Sequence, residues 1–210
     1  MTSTGGRRYH HGDLRSAIVA ESLSVLSEDG LVGFSLAKVA RRIGVSPASP
    51  YRHFADRDEV LAAVAERVAV ELRECLQAAV NGAGADPAER FAAMVGAYTG
   101  YVMSHRVGLD LVYLEPLRDA RYAELHSRAR DLRVLRLVLA KQALPEADGR
   151  QAVELLMQTT ALAHGYAELH IHSEHTSRRP NHERIRSSAE TAARILVAGH
   201  RQRQAADARG

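Results

Sequence analysis

Residues 34–59 read FSLAKVARRIGVSPASPYRHFADRDE, and the fold of the chain is decided there. Ser35 is suited to cap a helix, its hydroxyl placed to accept a backbone N–H of the following turn. Leu36, Val39, Ala40 and Ile43 then recur at i, i+3, i+4 and i+7, one buried face of a short helix. Gly44 stands where a helix ends in the left-handed conformation that glycine adopts cheaply. Ser46 and Pro47 predict a second helix, because serine caps and proline is tolerated at the first helical position. Helix, glycine turn, helix is the geometry that sets a second helix into a DNA major groove.

The second helix is short and poor in large apolar side chains, so packing alone does not account for it. Ser46, Ala48 and Ser49 are small and let the backbone approach base edges, whereas Tyr51, Arg52 and His53 carry donors suited to phosphate. Asp56 is placed to cap a further helix, with Glu59 three residues on as a capping-box partner. Arg57 falls in its first turn, beside backbone N–H groups that favour an anion.

FSLAKVARRIGVS…YRHFADRDEVL resembles the DNA-binding domain of the TetR family of transcriptional regulators, over roughly residues 13–75. The order and spacing of Ser35, Val39-Ala40, Gly44-Val45-Ser46, Tyr51-x-His53-Phe54 and Arg57 carry the likeness. Two residues depart from it: Arg57 stands where the family usually has lysine, and Pro50 where it carries an aliphatic or small residue. Pro50 has no N–H to bond back to Ser46, and its ring crowds that carbonyl. Base contacts by this helix therefore rest on less than the phosphate contacts do.

The resemblance implies an all-α chain: an N-terminal three-helix helix-turn-helix domain, and a C-terminal helical domain that binds a ligand and dimerises. We place the first at residues 1–57 and the second at 58–210, with a helix over 56–80 connecting them. The expected DNA-binding set is Arg7, Arg8, Ser35, Ser46, Ala48, Ser49, Tyr51, Arg52, His53 and Arg57. Arg7 and Arg8 enter it as a basic arm able to reach a minor groove.

Charge placement agrees. Residues 1–57 hold 8 Lys+Arg against 5 Asp+Glu, while 58–210 hold 20 of each, so the whole net charge of +3 lies in the first part. Apolar residues make up 46% and charged ones 25%, the balance of an ordinary globular chain. No apolar run approaches the ~20 residues of a membrane span. With no N-terminal targeting pattern and one cysteine, Cys75, the chain reads as cytoplasmic, with no membrane partner.

Along the chain, a first helix is predicted from about Asp13 to Asp29 and stopped by Gly30. Its domain's core is expected to be Ile18, Leu26, Phe34, Leu36, Val39, Ile43 and Phe54. The 56–80 helix carries Val60, Leu61, Val64, Val68, Leu72 and Leu76 on one side. Later helices are predicted over 87–106, 109–114, 118–143, 148–172 and 181–200, with 202–210 frayed. Ala189, Ala192, Ala193, Leu196 and Val197 offer a small-residue face on the last one. By the resemblance, the last two long helices make the homodimer.

Met94, Tyr98, Tyr101, His105 and Tyr113 cluster around the middle helices, and tyrosine and methionine suit an apolar cavity with a few polar handles. With Met157 and His164 they form the expected ligand site, in the region where the family binds small effectors. Ala163-His164-Gly165-Tyr166 resembles a segment of one TetR subgroup, where tryptophan precedes the histidine–glycine pair; this chain has none. His170, His172 and His175 lack zinc-site spacing, and i, i+2 residues on a helix do not face each other, so no metal is expected. No phosphate loop, GxSxG or HExxH occurs, so neither a cofactor nor an enzyme is expected.

The function read from the sequence is a homodimeric repressor, released from a palindromic double-stranded operator by a small apolar or aromatic effector. An activator or an effector-independent DNA binder is the alternative within that class, and a helical enzyme the alternative outside it.

Overall fold

A computed structural model describes residues 11–173 and 181–207, and among them every regular element is helical. Eight α-helices follow one another among these residues: α1 His11–Gly33, α2 Leu36–Arg42, α3 Arg57–Gly82, α4 Pro87–His105, α5 Leu109–Val112, α6 Ala123–Ala143, α7 Gly149–Ser173 and α8 His182–Asp207. Short 3-10 turns at Pro50–Arg52, Glu115–Arg118 and Ala120–Tyr122 complete the connections. No helix of the described residues is long and apolar enough to cross a membrane.

The expected core of the first three helices forms. Ile18, Leu26, Phe34, Leu36, Val39 and Phe54 are buried, and Ile43 packs half-buried against them. Gly30 breaks α1 as expected, with φ +68°, although one further turn carries the helical path to Gly33. The end of α2 also forms as read: Gly44 has φ +75°, its N–H bonds the Arg41 carbonyl, and Val45 N–H reaches the Ala40 carbonyl at 3.0 Å. That pair of bonds satisfies the last carbonyls of the helix.

Two local readings are corrected. Ser35 has the extended backbone of a cap, but its hydroxyl makes no capping bond; its carbonyl accepts the first helical N–H, from Val39, at 3.1 Å. The segment after Gly44 is not an α-helix. Ser49 N–H bonds Ser46, Arg52 bonds Ser49 and His53 bonds Pro50, all three residues apart. Pro50, lacking the donor for a four-residue bond, holds these residues in tight 3-10 turns.

α3 begins with the predicted cap. Asp56 accepts the Glu59 N–H at 2.8 Å, and Glu59 returns a bond to the Ala55 N–H at 2.6 Å. The helix then packs on α1 on one side and on α4, α5 and α6 on others, which buries Val60, Leu61, Val64, Val68, Leu72 and Leu76. It therefore touches both halves of the molecule.

Beyond it, α4 packs chiefly on α8, α3 and α7, and α7 on α8. The predicted helix at Arg118 starts only at Ala123, because Pro116 and the Asp119 side chain, which accepts Arg121 N–H, shape 3-10 turns first. The last helix runs on to Asp207 instead of fraying at residue 202. Ala189, Ala193 and Val197 are not free to meet another chain, since they are fully buried within this one. The face left open is different: Met157 is 68% exposed, Leu169 73% and Ile195 67%. Ala161 and Gly165 lie open on α7 with them, and Thr191 and Ala198 on α8.

Candidate nucleic-acid interface and helical-domain cavities

The short turns that replace the second helix present the expected contact residues outward. Ser46, Ala48 and Arg52 are exposed, Tyr51 is 57% exposed, and Ser49 and His53 are half-buried. Pro50 itself is buried and anchors the segment to the core. The Ser46 and Ser49 hydroxyls lie 2.8 Å apart and bond each other, which fixes the small-residue surface. Ser35 is exposed at the start of α2. Arg7 and Arg8 lie outside the described residues.

Several cations of this half are already engaged. Arg42 bonds Glu28 and, at 3.2 Å, Glu21; the Glu28 and Glu21 carboxylates hold its pKa above the ordinary guanidinium value. Lys38 pairs with Asp29. Arg15 lies over the Phe54 ring at 4.7 Å. Arg57 donates to the Leu31 carbonyl at 2.8 Å and lies over Phe34 at 5.4 Å. Among the described residues the charge excess counted from the sequence thus narrows to Arg41 and Arg52, which are exposed and whose side chains have no ionic or hydrogen-bonding partner there. Arg41 is missing from the expected set; its only signal is its place beside Arg42 in the last turn of α2.

The expected ligand residues divide between two cavities. One, of about 510 Å³, lies between α3, α4 and α8 and takes in Tyr101 and His105 with Cys75, His182 and Arg186. Tyr101 and His105 stack 4.1 Å apart, and the Tyr101 hydroxyl points to Glu71 at 3.4 Å. Burial, then Glu71, pushes the Tyr101 phenol well up.

The second cavity, of about 490 Å³, lies between α5, α6 and α7 and takes in Tyr113, Met157 and His164. Leu109, Leu137, Val153 and Leu156 give it an apolar wall, and Arg133, Arg136 and Thr160 complete it. Met94 and Tyr98 are buried in the packing beside it and do not line it. Tyr98 still reaches the site, because its hydroxyl lies 2.5 Å from His164 Nε2 and also accepts the Leu109 N–H at 3.4 Å. Burial pushes the Tyr98 phenol far up, so it is neutral. The Tyr113 hydroxyl donates to the Ala129 carbonyl at 3.2 Å.

Arg136 was not among the expected residues. It donates to Thr160 Oγ1 at 2.5 Å, and burial lowers its pKa from the ordinary guanidinium value. Its sequence signal was the pair Arg133 and Arg136, spaced i, i+3 inside the apolar run of α6.

No group of three metal-ligating side chains occurs among the described residues. His170 packs edge-on against His182 at 4.6 Å, and His175 lies outside the described residues.

Known proteins share this architecture. Residues 18–64 match the model of the bacterial regulatory proteins, tetR family. The HTH-type transcriptional regulator BetI of Rhizobium meliloti (strain 1021) is 32% identical over 81 residues, a stretch covering 39% of each chain. A protein of unknown function from Rhodococcus sp. RHA1 superposes with a TM-score of 0.71 at 29% identity, over 92% of this chain and 98% of that one. A TetR variant from Acinetobacter baumannii AYE in complex with minocycline gives a TM-score of 0.57 at 17% identity, over 92% and 97%.

Proposed function

We propose, from the premise that this chain belongs to the TetR family of bacterial regulatory proteins, that it is a homodimeric repressor of transcription. In this reading the unit over residues 1–57 binds a palindromic operator, and residues 58–210 bind a small apolar or aromatic effector that releases it. The observation that carries the reading is one continuous element, α3, packed on both the helix-turn-helix and the cavity-bearing helices.

At the DNA end, Ala48 and Ser49 face bases while Tyr51, Arg52, His53 and Arg41 hold phosphates. At the other end, the open face of Met157, Ala161, Gly165, Leu169, Thr191 and Ile195 suits a second copy of the same face. Two helices from each protomer then pack as a four-helix bundle, and its twofold axis matches a palindrome. The neighbour bound to minocycline supports the cavity as an effector site.

Further contacts join the halves besides α3. Arg121 pairs with Asp56 at the α3 cap at 3.0 Å, and the Ser27 hydroxyl of α1 donates to the His105 carbonyl at the end of α4. Both lie next to the 106–122 segment, which supplies Leu109 and Tyr113 to the apolar cavity. An effector that shifts this segment changes the separation of the two DNA-reading units, which the spacing of the half-sites fixes.

The test is selection of binding sites from random-sequence DNA, with sedimentation of the free protein. Selected sites with dyad symmetry and a dimer at micromolar concentration are expected. A monomer, or sites without symmetry, would overturn the reading. A reporter under the selected site then separates repression from activation.

A further inference from the structure

We propose that the cavity between α5, α6 and α7 takes an organic anion, a carboxylate on an alkyl or aromatic body, with Arg136 holding the carboxylate. This rests on the reading of that cavity as the effector site and adds the charge of the effector.

The argument begins with an imbalance. The cavity wall is apolar except for Arg133, Arg136, Thr160, Tyr113 and His164, and it contains no aspartate or glutamate. Arg136 makes one hydrogen bond, to the neutral Thr160 hydroxyl, and no ion pair among the described residues. Thr160 passes its own proton to the Leu156 carbonyl at 2.6 Å, so its oxygen serves Arg136 as acceptor only. The ionisable groups close enough to act on Arg136 are the phenols of Tyr113 and Tyr98, not carboxylates. Asp110, the acid on α5, accepts the Gly108 N–H at 2.8 Å and lies outside the cavity wall.

Elsewhere in this chain the half-buried Arg194 has Glu89 in a paired arrangement at 2.8–3.0 Å, and even the exposed Arg42 has Glu28 and Glu21. A guanidinium shielded from water without a counter-charge is costly to keep. It presents donors in a planar fork that matches a carboxylate in two parallel bonds. Arg133 adds a second positive charge at the exposed rim of the same cavity. The apolar wall of Leu109, Leu137 and Leu156 then takes the body of the molecule, and about 490 Å³ is in the range of small-molecule sites.

The experiment compares acids with alcohols of the same skeleton on the full chain by calorimetric titration: decanoate against 1-decanol, and 4-phenylbutanoate against 4-phenyl-1-butanol. Each acid is expected to bind roughly tenfold or more tightly than its alcohol, the scale of a hydrogen bond to a charged group. Arg136→Met should abolish that preference. Arg136→Lys, which keeps the charge and is the measure should the methionine variant fail to fold, should retain a reduced one. Equal binding of acid and alcohol in both pairs, no binding of either acid, or a full preference surviving in both variants would overturn the assignment.

A second arm measures a selected operator by fluorescence anisotropy in the same solutions. Arg136-dependent binding of an acid that leaves operator affinity unchanged upholds the anion site and removes ligand release. Release by the alcohols as readily as by the acids upholds release and removes the anion site.

Discussion

Arg57 shows how a residue's neighbours in space redirect a role read from its neighbours in sequence. From the sequence it is a cation in the first turn of a helix, next to donors that attract phosphate. In the fold its fork serves Leu31, 26 residues upstream, and its charge lies over Phe34. Nothing local announces a partner at that separation, and the same is true of Arg136 and Thr160, 24 residues apart. Arg57→Ala should lower stability modestly, by about 1 kcal/mol or less because the site is exposed, read as a fall in the urea midpoint. An unchanged midpoint with a salt slope for DNA binding reduced by about one per half-site would return Arg57 to the phosphates. His200 carries a different kind of test. It is 4% exposed, with Nε2 2.9 Å from Gln158 Oε1, and burial followed by Arg203 holds its pKa below the ordinary imidazole value. The folded protein thus resists a proton that the unfolded chain accepts. Stability from this group is whole above about pH 6.5 and is lost as pH falls from there toward the lowered folded value. Melting temperature should drop from pH 7 to 5.5, and His200→Gln should flatten part of that drop. Identical slopes for the two proteins would remove His200 from the account.

At the scale of the element, the legible features were those a few bonds could satisfy. The α2 stripe, the Gly44 turn and the α3 cap each depend on residues within seven positions of one another, and each forms. The segment after Gly44 shows where local signals conflict: Ser46-Pro47 starts a helix and Pro50 denies it a donor, so tight turns result. The divided ligand set failed for another reason, since Tyr101 and Tyr113 are near in sequence but line separate cavities, one between α3, α4 and α8 and the other between α5, α6 and α7. Gly44→Ala places a side chain at φ +75°, and although no atom crowds the added carbon, the left-handed backbone costs about 1–2 kcal/mol. A fall in thermal stability of that size is expected, with weaker DNA binding because the turn sets the angle between α2 and the contact segment. Asp56 tests the next element. The Glu59 N–H, and then Arg121, hold its carboxyl below the ordinary carboxylate range. Its contribution is therefore complete above about pH 4 and fades as pH falls through the lowered folded value. Asp56→Ala should cost about 1 kcal/mol at pH 7 through the lost cap. Asp56→Asn keeps an acceptor for the cap and loses only the ion pair, so it should cost less at pH 7. Equal losses in the two variants would show that the cap contributes nothing.

The whole molecule adds what neither residue nor element contains, a route between two ends. α3 is rigid and packed along much of its length, so it cannot bend cheaply between the helix-turn-helix and the cavity. What differs between two arrangements of the protein must then lie at its edges, and the Asp56–Arg121 pair sits on such an edge. The pair ties the α3 cap to the 106–122 segment, whose Leu109 and Tyr113 wall the apolar cavity. A ligand releases DNA only to the extent that it prefers the released arrangement, and a coupling of about 1–3 kcal/mol corresponds to a five- to 150-fold weaker operator. Reciprocity fixes the companion measurement: operator DNA must weaken the same ligand by the same factor. Ligand titrations of free and operator-bound protein should therefore give dissociation constants in that ratio. Arg121→Ala should bring the ratio toward one while leaving ligand affinity of the free protein nearly unchanged, because Arg121 lines neither cavity. A ratio of one in the parent protein would remove release by this ligand. A ratio undiminished in Arg121→Ala would keep release and send the coupling through the Ser27–His105 contact or along α3 itself.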